Sequence, residues 1–449
     1  MFRLGRSHAG AVAPLAAPLC REGHAELSGE NVVNGRRVRS LSWATLIVAV
    51  LGPIASASAQ APAPTGPITI GVLAPSTGPF ATYARDIIDG ARLYSDEVGG
   101  QLGRRKLEMV VEDYQTRPDV ALTKIRKLVE RDRAQAIVGL VLSAAALAVK
   151  DYVNARKVPL LISGFAVAEN LTLQQNPYVF RLTYSAAMTG APIGQWTYRH
   201  LKARKAAIIA SDSVGPLELM MAWARAFEES GGKIVQEIYP PLGTADMAPW
   251  VAKLRQDVDV IGVQTVGADG VRFVKQFQEY GLKGKIPVVD ASVGVSEVSL
   301  LPAAGEAAVG VYNSQPYQYT IDTPRNRKFV QAFRSKFGRD PGSPAAFTYA
   351  AMAAIDQAVG ATGGNIEDSA KFVEALRRTD VEAPQGRVRF DRYQNVVSDI
   401  YISRIDKVGD QIAPVVIETI RNVDQFLGLD PADYLKKPRL VTLKGTFAK

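Results

Sequence analysis

Cysteine is almost absent. The one cysteine, Cys20, falls within the first sixty residues, so no disulfide staples the rest and the fold must rest on its core. Histidine is nearly as scarce. His8 and His24 share that leader, which leaves His200, in "TYRHLKARK" near the end of a predicted helix, as an ordinary surface residue. Cys/His zinc sites and cysteine nucleophiles are thereby excluded. A Ser-His-Asp triad would have to use His200, and no Gly-x-Ser-x-Gly elbow exists to partner it. No Walker sequence or Gly-x-Gly-x-x-Gly follows a strand; "GLKGKIP" is the nearest imitation, with the wrong spacing. Carboxylates are plentiful but none stands out as a pair. The reading is therefore a non-enzyme without metal or cofactor, with a carboxylate-pair hydrolase left open.

Long single-sign charge runs are missing too. Lysine and arginine number 53 against 44 acids, for a net charge of +9. Six arginines and three glutamates lie in residues 1–59, so the remainder carries about +6. "LKARK" and "LKKPRL" read as solvated surface, and no aromatic-interleaved basic patch points to nucleic acid.

What is present begins with an export signal. Arg36, Arg37 and Arg39 precede the apolar stretch "LSWATLIVAVLGPIA", followed by the small residues Ala57-Ser58-Ala59. The apolar core is shorter than the roughly twenty residues of a membrane span. Cleavage is expected after Ala59, with residues 1–59 as leader and 60–66, within "AQAPAPTGP", as linker.

From Pro67 onward strands alternate with amphipathic helices. "ITIGVLA" precedes a helix with Ile87, Ile88, Ala91, Tyr94 and Val98 on one face, and "LEMVVED", "AIVGLV" and "VPLLIS" continue the rhythm. Such alternation implies right-handed βαβ units and a parallel sheet. After "NPYVFRL" the pattern restarts with "KAAIIA", "KIVQEIY", "DVIGVQTV" and "KIPVVD". A helix-rich region over 325–380, with Phe329, Phe333 and Phe337 on one stripe, precedes "GRVRF" and "VVSDIYISRI", which alternate like exposed antiparallel strands. The fold class is therefore α/β, two lobes with a cleft between them.

In open α/β sheets, ligands collect beyond the carboxyl ends of the strands. In the first lobe these ends read "APSTGPFATY", "GLVLSAAA" and "ISGFAVAEN". The lone hydroxyl of Ser143 sits at the N-cap position of its predicted helix, where it and the free N–H groups of the first turn suit a carboxylate. A serine that merely caps the helix would look the same. The convergence of Ser76, Thr77, Ser143, Ser163 and Ala166 on one edge favours a ligand.

Several stretches together resemble the periplasmic binding proteins of the branched-chain amino acid (leucine/isoleucine/valine) ABC importer family. They are "ITIGVLAPSTGPFATYARDIIDGARLYSDEVGG", "VVEDYQTRPDVALTKIRKLVERD", "AIVGLVLSAAALAV", "VPLLIS", "SGGKIV", "VKQFQEYGLKG", "AAGEAAVGVY" and "FRSKFGRDPGSPAAFTYAA", covering nearly all of 67–425. The resemblance implies a type I binding-protein fold with three hinge crossings. It places 67–185 plus 318–384 in lobe 1, and 186–317 plus 385–449 in lobe 2 with the C-terminal tail. It implies a monomer in the periplasm that delivers a small carboxylate to an ABC permease in the inner membrane.

Position by position, the family's Gly-Pro-Leu-Ser-Ser-Ser run falls on Gly139 to Ala144, and Ser143 takes the place of the carboxylate-binding serine. The following pair falls on Ala166 and Val167, and Val167 lacks the hydroxyl that helps hold an ammonium. In the second lobe Ser213 stands where amino acid binders place a tyrosine. "GVQTVGADG" puts Thr265 at the end of a strand, and Asp290 in "VVDASVG" is the candidate acid for an ammonium. Weakened amine recognition puts an α-amino acid in doubt. Phe165, where the family commonly has glycine, offers a stacking surface or plain packing, and Tyr83 is a further cleft residue. "PYVFRLTYSA", "GADGVRFVKQF" and "PQGRVRFDRYQNVVSDIYISRI" most resemble the aromatic-carboxylate branch of the family. A binder of amides or urea, or a ligand-sensing receptor of the same fold, are the alternatives.

Overall fold

The computed structural model describes residues 65–174 and 176–448. The leader, its cleavage site and most of the linker lie outside the described residues. No helix of the described residues is long and apolar enough to cross a membrane.

Six strands form the first sheet: β1 (Ile68–Ala74), β2 (Gln101–Leu102), β3 (Arg105–Asp113), β4 (Ala136–Gly139), β5 (Leu160–Ile162) and β6 (Val179–Arg181). Their order is β2-β3-β1-β4-β5-β6, parallel except for the β2–β3 hairpin. β1 is buried at six of its seven positions, as a strand covered by helices on both faces must be. Helices α1 (Ala81–Glu97), α2 (Pro118–Arg126) and α3 (Ser143–Arg156) are the crossovers.

After α4 (Ala186–His200) a second sheet starts with β7 (Lys205–Ala210), followed by α5 (Val214–Glu229). β8 (Lys233–Ile238), β9 (Val260–Gln264), β10 (Val288–Asp290) and β11 (Tyr312–Gln315) complete its parallel part. The chain then returns to the first lobe, where helices Pro324–Phe337 and Ser343–Ala361 lie against α1. It crosses a third time into β12 (Asp380–Ala383), β13 (Gly386–Phe390), β14 (Val396–Val408) and β15 (Gln411–Val423). All four pair antiparallel, which makes the second sheet mixed. The result is two α/β lobes joined by three crossings.

The expected phenylalanine stripe is real. Phe329 and Phe333 are buried in one helix, and Phe333 packs 4.7 Å from Phe337, centroid to centroid. His200 ends α4, half-exposed and stacked on Trp196.

Candidate functional site

The turn from β4 into α3 is built for close approach. Gly139 has φ +118°, and a Cβ there would come 2.4 Å from the Leu73 carbonyl oxygen, so only glycine fits. The Tyr114 hydroxyl accepts from the N–H groups of Val141 (2.9 Å) and Leu142 (3.1 Å) and holds the turn.

Ser143 is not the N-cap. Leu142 occupies that position and Ser143 is the first helical residue, with no side-chain cap bond. Its Oγ accepts instead from Val167 N–H (3.0 Å) and Ala168 N–H (3.3 Å), tying the α3 turn to the loop after β5. The oxygen is thus engaged, while its own proton remains to donate. The N–H groups of Ser143 and Ala144 lie in the first helical turn, which leaves such donors without intrahelical acceptors.

The cleft between the lobes is lined on one side by Phe80, Tyr83, Ser143, Phe165, Val167 and Tyr184. Tyr83 meets Phe165 edge-on at 5.0 Å, and Tyr184 lies 6.5 Å from Phe165. These rings make an aromatic wall. From the other lobe come Gly215, Pro216 and Leu219 of α5, with Gln264, Val266 and Val293 beyond the strand ends. The space they enclose is about 30 Å³, room for a couple of waters. The lobes are shut on their own side chains, and a ring would enter only as they part. A larger cavity of about 650 Å³ lies elsewhere, between Arg85, Tyr319, Arg339 and the β14–β15 hairpin. The cleft is the better candidate because strand ends of both sheets converge on it.

Hydrogen bonds join the two lobes beside the cavity. The Gly267 N–H donates to the Tyr83 hydroxyl (3.1 Å), and Ser292 Oγ donates to the Tyr184 hydroxyl (2.9 Å). Burial pushes the hydroxyls of both tyrosines well above the usual phenol range, so both stay neutral.

Ser143, Phe165, Val167 and Tyr83 therefore line one cavity. Ala144 and Ala166 are not among its lining residues, and Ala166 is fully buried. Ser76 and Thr77 do not converge on it: both are exposed, and the Thr77 hydroxyl donates to Asp113 (2.7 Å). Ser163 is buried, its Oγ accepting from Gly139 N–H and the Thr348 hydroxyl. Ser213 occupies the N-cap position of α5, and Thr265 is buried beside Gln264; neither lines the cavity.

Asp290 does not reach the cavity either. Its carboxylate accepts from the N–H groups of Ser292 (3.3 Å), Val295 (2.8 Å) and Ser296 (3.2 Å) and from the Ser296 hydroxyl (2.8 Å). Burial pushes its pKa up to about 6 against these bonds. Both oxygens are spent on their own loop. Tyr184 and Gln264 are the polar residues that sequence reasoning passed over, although both lay in the quoted stretches "RLTYSA" and "GVQTVGADG".

A family model described as "Periplasmic binding protein" matches residues 67–410, and the chain belongs to that family. The Leu/Ile/Val-binding protein homolog 6 of Brucella melitensis is 29% identical over 350 residues, covering 76% of this chain and 88% of its own. An ABC transporter substrate-binding protein from Sphaerobacter thermophilus superposes with a TM-score of 0.74 at 33% identity, covering 80% of this chain and 99% of its own. A solute binding protein of an ABC transporter from Rhodopseudomonas palustris, solved with 3,4-dihydroxybenzoic acid, gives 0.75 at 27%, covering 79% and 97%. The leucine binding protein LivK from Thermotoga maritima shares the fold, with a TM-score of 0.72 at 20% identity over 79% of this chain and 99% of its own. This chain is an ABC-type solute-binding protein and not an enzyme.

Proposed function

We propose that the protein captures a small aromatic carboxylate in the interlobe cleft, acting as a monomer in the periplasm after cleavage at Ala59. It then delivers that ligand to an ABC permease. The ligand carboxylate would meet the Ser143 hydroxyl and the first-turn amides of α3, where the helix dipole favours an anion. The ring would lie among Phe80, Tyr83, Phe165 and Tyr184. One observation carries this choice over an α-amino acid: among the described residues no charged side chain lines the cavity. Asp290, the acid on hand for an ammonium, is consumed by its own loop. A buried ammonium without a carboxylate partner is strongly disfavoured. The dihydroxybenzoate-bound relative supports the same reading.

The test is a thermal-shift screen against benzoate, hydroxycinnamate, leucine and a polar amide. A ligand that binds only the folded state raises the melting point. Shifts with the aromatic acids and not with leucine are the expected outcome. A shift with leucine alone returns the site to amino acids, and one with the amide alone makes it an amide receptor.

A further inference from the structure

The hydroxyls that line the cleft each accept at least one hydrogen bond, whereas one side-chain amide there makes none. Ser143 Oγ holds two backbone amides, the Tyr83 hydroxyl holds Gly267, and the Tyr184 hydroxyl holds Ser292. That amide is Gln264. It is fully buried, and neither its Nε2 nor its Oε1 has a hydrogen-bond partner among the described residues. An amide buried without partners is a standing cost that any apolar side chain of similar size would relieve.

Its position is fixed as well as unpaired. Gln264 is the last residue of β9, and its own carbonyl accepts from Ser211 N–H at 3.1 Å. The loop after β10 backs it closely. A Cβ on Gly294 would lie 3.2 Å from Gln264 Nε2 and 2.5 Å from the Thr265 carbonyl oxygen. The amide is held on a rigid strand end with the cavity as its neighbour.

A side-chain amide presents one acceptor and two donors at once. An ammonium would use only the acceptor and a second carboxylate only the donors, each leaving half of the amide unmet. A hydroxyl uses both. Resting on the aromatic-carboxylate reading above, we infer that Gln264 recognises a ring hydroxyl. The solute class is then hydroxylated aromatic carboxylates, with the unsubstituted acid a poorer ligand. A site built to pair a hydroxyl discriminates strongly against the analogue that lacks it, because its own polar group is left bare.

Isothermal titration of the purified protein with benzoate, 3-hydroxybenzoate and 4-hydroxybenzoate tests this, alongside Gln264→Leu and Gln264→Met. Wild-type protein should bind one of the hydroxybenzoates at least about tenfold more tightly than benzoate. Both variants should bring that ratio close to one. Their melting points should be no lower than that of wild type, since an unpaired amide has been removed. Benzoate binding without any hydroxyl preference in wild type, or a preference that survives both substitutions, overturns the role of Gln264 and leaves the carboxylate reading intact. Wild-type protein that binds none of the three acids overturns that reading and this inference together.

Discussion

Two adjacent strands of the second sheet end in buried polar side chains with opposite circumstances. Asp290 closes β10 and pairs in register with Val263, the residue before Gln264 at the end of β9. The acid is saturated, taking four hydrogen bonds from residues 292–296. The amide takes none. Residue chemistry alone favours the acid as the ligand group, because an amino acid needs an anion for its ammonium. Satisfaction reverses the choice. A carboxylate bound on both oxygens holds a loop together, and a neutral amide with nothing to bind is free for a solute.

The sharpest way to break this contrast is to remove Asp290. Asp290→Ala strips the acceptor from three buried amides and one hydroxyl, so stability should fall by about 3 kcal/mol or more in urea denaturation. Benzoate affinity of the protein that remains folded should change by less than about threefold. Unchanged stability with lost binding would make Asp290 the ligand group after all.

A second carboxyl extends the comparison to pH. Glu218 of α5 is buried with its carboxylate accepting from Glu169 N–H (2.7 Å). Burial, reinforced by the neighbouring Glu169 carboxylate, pushes Glu218 up to about 8. Its folded pKa lies above the unfolded value of about 4.5, so the folded state holds the proton more tightly. The resulting stability is complete below about pH 4.5 and is lost as pH rises toward 8, at up to about 1.4 kcal/mol per unit. Melting points measured from pH 5 to 8 should decline in wild type and decline less in Glu218→Gln. Parallel curves would mean that Glu218 is already ionised in the folded protein.

Ser143→Ala comes next. The hydroxyl supports two backbone amides as well as standing in the cleft. The variant should lose about 1–2 kcal/mol of stability and bind benzoate about tenfold more weakly. A stability loss with unchanged affinity would assign Ser143 to the turn alone.

How far these roles were legible depends on the range of the interaction that sets them. Strand positions follow from local pattern, and "ITIGVLA", "KAAIIA" and "GRVRF" are strands over those residues. β15 was not anticipated, because Pro414 and the mixed polar pattern of an exposed strand obscure its period. Ser143 could be picked as a cavity residue because strand ends point to the cleft, Tyr83 because it follows the first strand, and Phe165 and Val167 through the resemblance to the family. Ser76 and Thr77 obey the same rule and still lie outside, since their loop turns to solvent. The fate of Asp290 depends on amides of its own loop, and the isolation of Gln264 on a lack of neighbours. Neither is written in residue type.

The smallest expected effect separates closure from recognition. The Tyr83 hydroxyl accepts from Gly267 N–H across the cleft, so the bond exists only when the lobes are together. In an open form both groups meet water. Tyr83→Phe therefore costs only the closed state, by about 1 kcal/mol, and a ligand that binds by stabilising closure loses affinity in the same proportion. Stopped-flow displacement should show faster dissociation and a Kd about fivefold higher. The ratio between hydroxybenzoate and benzoate should stay as in wild type, because Tyr83 acts on closure and not on the ring hydroxyl. That ratio is the quantity Gln264→Leu should abolish. If Tyr83→Phe abolishes it too, the hydroxyl is read jointly from both lobes, and the contrast between a structural and a recognising polar group no longer runs along the second sheet alone.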